Sequence, residues 1–169
     1  KADLPSRFGN FTLYGFYDGK EDKEHTAMVR GDLAGMEAVP VRIHSQCHTG
    51  DVLGSLRCDC RDQLEAALRY IGEREVGAVI YLMQEGRGIG LLNKIKAYAL
   101  QDLGLDKVEA NEYLGYPGEG RDYKVGARII ELLGIKSIAL MTNNPDKIDK
   151  LQGEGIKITG RIPIVIEPN

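Results

Sequence analysis

A mixed α/β fold, opening with an antiparallel β meander and continuing as alternating helices and strands, is what three features of this chain predict. Up to His44 the apolar residues alternate with polar ones in the manner of half-buried strands. From Asp59 onward the apolar residues recur instead at helical spacing. Between those helices lie short continuous apolar runs, the pattern of strands buried on both faces.

The meander is read over Phe11–Tyr17, His25–Arg30 and Ala38–His44, with turns at Gly19–Glu24 and Gly31–Gly35. Leu64, Ala67, Leu68 and Ile71 share one helical face, which predicts a helix over Asp62–Glu75. Gly77–Met83 is a buried strand, and Gln84–Gly90 a glycine-rich turn that opens a helix over Leu91–Leu103. Val125, Ile129, Leu132 and Leu133 line a helix from about Asp122 to Leu133, followed by a strand over Lys136–Met141. Asn144-Pro145 marks a helix start, with Asn as the cap and Pro at the first helical position. Ile156–Ile162 is a closing strand. There is no repeat and no long linker, and 169 residues suit one domain or two small, closely packed ones.

The three cysteines of the chain, Cys47, Cys58 and Cys60, fall in one short polar stretch. An odd number excludes complete internal pairing, and Cys58-Asp-Cys60 is too short a loop for an easy bridge. Two readings stand open. Cysteine is a common small core residue, and C-x10-C-x-C is not a standard finger spacing. Against that, Arg42, His44, Asp51, Arg57, Asp59 and Arg61 crowd the segment, which is no apolar core. Three thiolates converging on zinc would leave the fourth tetrahedral place for water, as catalytic zinc sites do.

The Gln84–Gly90 turn also has two readings. It is neither a Walker A loop nor a dinucleotide fingerprint, and a tight helix entry alone needs glycines. Arg87 within it, followed by Lys94 and Lys96, favours a phosphate at the helix N-terminus. Thr142 and Lys147 flank a strand-to-helix turn, where ligands collect in α/β proteins.

Composition narrows the function classes. With 43% hydrophobic residues the 169-residue chain has ample core, and its net charge of −3 argues against a nucleic-acid-coating protein. No apolar run approaches membrane-span length, so no membrane partner is expected. Unpaired thiols without an export signal point to the cytoplasm. The chain opens on Lys1 rather than methionine, which leaves a fused partner domain open.

Taken in order, Arg42-Ile-His-Ser-Gln-Cys-His-Thr-Gly-Asp51, Ser55-Leu-Arg-Cys-Asp-Cys60, Gln84-Glu-Gly-Arg-Gly-Ile-Gly-Leu-Leu-Asn-Lys94, Lys96-Ala-Tyr-Ala-Leu-Gln-Asp102, Val108-Glu-Ala-Asn111, Arg121-Asp122 and Leu140-Met-Thr-Asn-Asn-Pro145 resemble the motifs of GTP cyclohydrolase II. That family opens the guanine ring of GTP at the start of riboflavin synthesis, and the resemblance covers essentially the whole chain. It implies zinc, one ion per chain, on Cys47, Cys58 and Cys60. It places nucleotide contacts on Arg42, Ile43, His44, Ser45, Gln46, Gln63, Glu85, Gly86, Arg87, Thr142 and Lys147. Tyr98 matches a tyrosine that assists ring opening. Arg121 matches an arginine proposed to attack the α-phosphate, and Glu119 the proton acceptor two places before it. The resemblance further implies Mg²⁺ with the triphosphate and a homodimer.

Three positions depart from the family pattern: Glu119 stands for Asp, Gln46 for Glu, and Lys107 for a contacting Thr. Guanidinium stays protonated in proteins, so for Arg121 a charge-stabilising role stands beside the nucleophilic one. A paralogue that stops at the formamide, or serves a secondary metabolite, and a non-catalytic zinc-stabilised nucleotide-binding module are the alternatives to the cyclohydrolase.

Overall fold

The structure, a computed structural model, describes residues 1–85, 90–106, 109–110 and 123–166. One seven-stranded sheet runs through them: β1 (Ala2–Ser6), β2 (Gly9–Asp18), β3 (Lys23–Arg30), β4 (Val39–Ser45), β5 (Gly77–Leu82), β6 (Ile138–Met141) and β7 (Ile158–Ile162). Their spatial order is β1-β2-β3-β5-β4-β6-β7. The first three strands and β5 pair antiparallel, while β5, β4, β6 and β7 pair parallel. The mixed α/β class and the opening meander are therefore present, but the membership of the meander differs from expectation. It gains β1, and it loses β4.

The reason lies in burial rather than in local propensity. β5 is apolar along nearly its whole length and is buried along it, so it takes a central place beside β3. The Gly31–Ala38 connection carries the chain past that slot, with positive φ at Gly31, Gly35 and Ala38. Alternation along 39–45 marks a strand; it does not name the strand's neighbours. β1 escapes the pattern because it is a short edge strand with Pro5 in it, paired among the described residues with β2 alone.

Both faces of the sheet are covered. On one face α3 (Tyr123–Leu132) and α4 (Pro145–Gly153) bury Ala127, Ile130 and Leu151 against Val29, Val41, Ile80 and Leu140. Gly126 lets α3 approach β4 closely, since a Cβ there would sit 3.2 Å from the Ile43 methyl. On the other face α1 (Cys60–Gly72) packs Ala67, Leu68 and Ile71 on Phe11, Val79 and Met141. This helix starts and stops earlier than its periodicity predicts. At Gly72 its backbone lies against the Phe8 carbonyl, where a side chain has no room, and the chain turns off toward β5. α2 (Leu91–Asp102) follows the glycine turn, and α4 begins as expected, with Asn144 Oδ1 accepting the Asp146 N–H at 3.0 Å.

One buried histidine makes the fold acid-sensitive. His25 on β3 is 1% exposed, its Nδ1 accepts the Met83 N–H at 2.9 Å, and burial pushes its pKa down. Below pH ~6.5 the unfolded chain binds a proton that the folded one refuses, so stability falls as pH drops. His25 by itself contributes a slope of at most about 1.4 kcal/mol per pH unit, ending at its folded pKa. Urea unfolding at pH 6.5 and 5 should show this loss, and His25→Leu should reduce it.

Candidate metal centre and nucleotide site

Three parallel strands end side by side at Ser45, Leu82 and Met141, and the crevice beyond such carboxyl ends is where open α/β sheets bind ligands. The chain leaves β4 into a single π-helical turn, His48–Val52. It is built around one carboxylate. Asp51, with a side chain only 4% exposed, accepts the Cys47 N–H at 3.1 Å, the Tyr81 O–H at 2.7 Å and His44 Nε2 at 3.0 Å. Burial works to raise its pKa, but these three donors hold the carboxyl below the usual range. Burial pushes the His44 pKa down against the opposing pull of Asp51, and facing an acceptor-only carboxylate its Nε2 is the donor.

That turn folds Cys47 back over the start of α1, where Cys60 is the first helical residue and Cys58 stands just before it. The three sulfurs lie within 4.8 Å of one another, with Cys47 and Cys58 3.6 Å apart. Two ligands at ~2.3 Å on a tetrahedral zinc stand ~3.8 Å apart, so the spacing suits the ion and is far too long for a disulfide. Gly50 lines the cradle: a Cβ there would lie 2.7 Å from Cys58 Sγ and 3.2 Å from Cys47 Sγ.

Thiol ionisation in this cluster is uneven. For Cys47, burial works upward, but the Lys94 ammonium, the Gly50 amide and the Thr49 hydroxyl bring the net shift down. Burial and the two neighbouring sulfurs push Cys60 well up. Three thiolates this close would need a cation among them, and soft sulfur donors select zinc-like ions over magnesium. The donor set and the glycine cradle both fit zinc.

Other predicted site residues gather around the same strand ends. Arg42, 4% exposed, donates to the Met141 carbonyl at 3.1 Å and to Gln63 Oε1 at 2.8 Å, and Gln63 in turn donates to Asp59. Arg42, Ile43, Ser45 and Lys147 line one crevice together with Gln84 and Tyr123. Gln46 leaves β4 with its N–H on the Leu82 carbonyl. Tyr98 on α2 reaches the cysteine turn, with its hydroxyl 3.3 Å from Thr49 Oγ1, which lies 3.7 Å from Cys47 Sγ. Thr142 is 1% exposed, and its hydroxyl accepts the Asn144 N–H at 3.0 Å. Gly86, Arg87, Glu119 and Arg121, and with them Lys107, lie outside the described residues.

The parts that several residues of the cluster play were not legible in the sequence. Gly50 and Asp51 stand in the same motif as Cys47, yet nothing in the order of residues says that one cradles sulfur and the other ties down the turn. Arg57 lies 4.3 Å over the Tyr98 ring and donates to Asp102 and Gln101, which fastens the Cys58 loop to α2. Lys94, expected to face phosphate, instead donates to Cys47 Sγ at 2.9 Å and to Glu85 Oε1 at 2.7 Å. The other oxygen of Glu85 accepts the His48 N–H at 2.8 Å.

Known proteins carry the same arrangement of sequence. The GTP cyclohydrolase II family model matches residues 1–163. A GTP cyclohydrolase-2 of Picrophilus torridus is 58% identical over 99% of this chain and 87% of its own length. That of Teredinibacter turnerae is 56% identical over 96% of this chain and 81% of its own. The riboflavin biosynthesis protein RibBA of Synechocystis sp. is 55% identical over 99% of this chain, which spans 31% of that longer protein. Among solved structures, RibBX of A. baumannii, a two-domain 3,4-dihydroxy-2-butanone 4-phosphate synthase, aligns over 84% of this chain and 32% of its own, with a TM-score of 0.43 and 20% identity. A family match across nearly the whole chain, with relatives above half identity, settles the assignment. The chain belongs to the GTP cyclohydrolase II family, enzymes of riboflavin biosynthesis.

Proposed function

We propose that this chain, as one catalytic domain over residues 1–169, hydrolyses GTP with release of formate and pyrophosphate. The product is 2,5-diamino-6-(5-phosphoribosylamino)pyrimidin-4(3H)-one. The observation that carries the reading is the convergence of Cys47, Cys58 and Cys60 in a cradle that only glycine at position 50 leaves open. Zinc held there supplies Lewis acidity, which brings the pKa of a water toward neutrality and so makes hydroxide available for a weakly electrophilic ring carbon.

The chain's own residues bind and orient the substrate. Guanine shows an acceptor at O6 and donors at N1 and N2. Glu85 stands beside the cysteine turn, and each of its oxygens keeps a second lone pair after its bonds to Lys94 and His48. Its carboxylate can therefore still accept from the base. Tyr98 holds a proton near the reacting ring, a role supported by its hydroxyl lying 3.3 Å from Thr49 Oγ1 in the cysteine turn. Arg42, Ser45 and Lys147 share one crevice, with the two cations set to receive the ribose phosphates, and Gln63 holds the Arg42 guanidinium in place. Arg87 and Arg121 supply the remaining positive charge for the triphosphate and its Mg²⁺, with Arg121 and Glu119 serving the α-phosphate.

The working unit is proposed to be a homodimer. Leu92, Ile95, Ala99 and Leu103 form an exposed apolar stripe along α2, left uncovered by the described residues. The three free cysteines suit the reducing cytoplasm, and no helix among the described residues is long and apolar enough to cross a membrane.

Incubation of the zinc-loaded protein with GTP and Mg²⁺ tests the reading. Formate and pyrophosphate should appear in equal amounts, with a deformylated product by mass. ATP should be turned over roughly 10⁴-fold less efficiently, because its base edge leaves buried polar groups unpaired. A product that retains the formyl group, or comparable turnover of ATP, contradicts it.

A further inference from the structure

Lys94 is an unusual neighbour for a set of metal ligands. Its side chain is 12% exposed, and burying an ammonium costs several kcal/mol unless its partners compensate. Two do: Cys47 Sγ at 2.9 Å and Glu85 Oε1 at 2.7 Å. Through Glu85 Oε2 and the His48 N–H the contacts close a ring that begins at the sulfur of residue 47 and returns to the backbone of residue 48. Lys94 thus joins α2, the end of β5 and the π-helical turn at a single atom. Of the three sulfurs, Cys47 is the one that receives this ammonium; Cys58 and Cys60 show no such contact among the described residues.

We propose that Lys94 is a positioning residue of the metal centre, whose N–H···S bond to Cys47 fixes that ligand and withdraws electron density from its sulfur. This rests on the reading that Cys47, Cys58 and Cys60 hold a metal. A thiolate that donates part of its charge into a hydrogen bond donates less to the metal, and outer contacts of this kind tune both ligand orientation and metal electronics. The metal is then more electrophilic than three unmodified thiolates would leave it. Glu85 keeps the ammonium oriented, so its bond to Lys94 belongs to the same device.

The test uses cobalt(II) loaded into the apoprotein, with no substrate present. The parent protein should show a sulfur-to-cobalt charge-transfer band in the near ultraviolet. In Lys94→Met the band should move to longer wavelength, because the sulfur lone pairs rise in energy once the donor is gone. Lys94→Arg, which keeps a cationic donor, should restore the band at least in part, and Lys96→Met, at an exposed position about 200° around the helix from Lys94, should leave it in place. With zinc restored, kcat for formate release in Lys94→Met should fall ~10–100-fold with little change in KM. Circular dichroism and thermal melting check the fold, and Lys94→Gln serves as the second variant if the methionine protein does not fold. An unmoved band in folded Lys94→Met or Lys94→Gln overturns the role of Lys94 while the metal centre stands. A parent protein with no sulfur-to-cobalt band removes the metal centre itself, and the proposal with it.

Discussion

Cys58→Ser should reduce formate release from GTP to background while the chain stays folded. Cys58 belongs to neither apolar core and is half-buried, so exchanging sulfur for oxygen removes little packing. What it removes is one of three soft donors held within 4.8 Å of each other. Loss of an outer-shell partner of a metal ligand typically costs ~10–100-fold, and loss of a ligand itself should exceed that. Pyrophosphate release gives the contrast, because the groups assigned to it, Arg121 and Glu119, are distant from the cysteines in sequence. If the two reactions are separable, Cys58→Ser still releases pyrophosphate from GTP and leaves GMP. Formate release at the parent rate would remove this cysteine from the chemistry.

Gly50→Ala should be nearly as damaging, although it adds a single methyl group. The new carbon would lie 2.7 Å from Cys58 Sγ, 3.1 Å from Cys60 Cβ and 3.2 Å from Cys47 Sγ. No flexible side-chain end can yield here, since the crowding atoms are the ligands themselves. The turn that carries Gly50 is also pinned by Asp51 to Cys47, Tyr81 and His44, so the backbone cannot swing away without breaking buried hydrogen bonds. Metal content and formate release should therefore fall together, by about two orders of magnitude or more in rate if a ligand is displaced. Gly153→Ala is the matched control. Gly153 is helical and nothing lies within 4 Å of its missing Cβ, so that protein should keep full activity and gain a few tenths to ~1 kcal/mol in stability. A fully active Gly50→Ala protein with parental metal content would contradict the cradle.

Much of this was legible in the sequence where function is carried by residues close together in the chain. Cys47, Cys58 and Cys60 share one polar stretch, and the Asn144-Pro145 helix start is a local rule that the structure obeys. The strand order was not legible in the same way. β4 alternates like a member of the meander, yet β5, more than thirty residues later, takes the place beside β3 because its apolar length needs neighbours on both sides. Long-range contacts hid the roles of single residues for the same reason. Lys94 reads as a cation after a glycine turn, and only the fold brings it to Cys47 and Glu85. Thr142 stands at a strand end where ligands collect, and only the fold shows that its hydroxyl also accepts the Asn144 N–H of its own turn. Periodicity also overran α1, because it cannot register that the Phe8 carbonyl occupies the space beside Gly72.

The central claim is that the three-cysteine turn is a metal centre on which ring opening depends. Elemental analysis of freshly purified, active protein, with formate release measured on the same sample, tests it most directly. One zinc per chain, falling in proportion to activity as a chelator withdraws it and returning with added zinc, is the result expected. Sustained formate release from protein that contains no transition metal would contradict it.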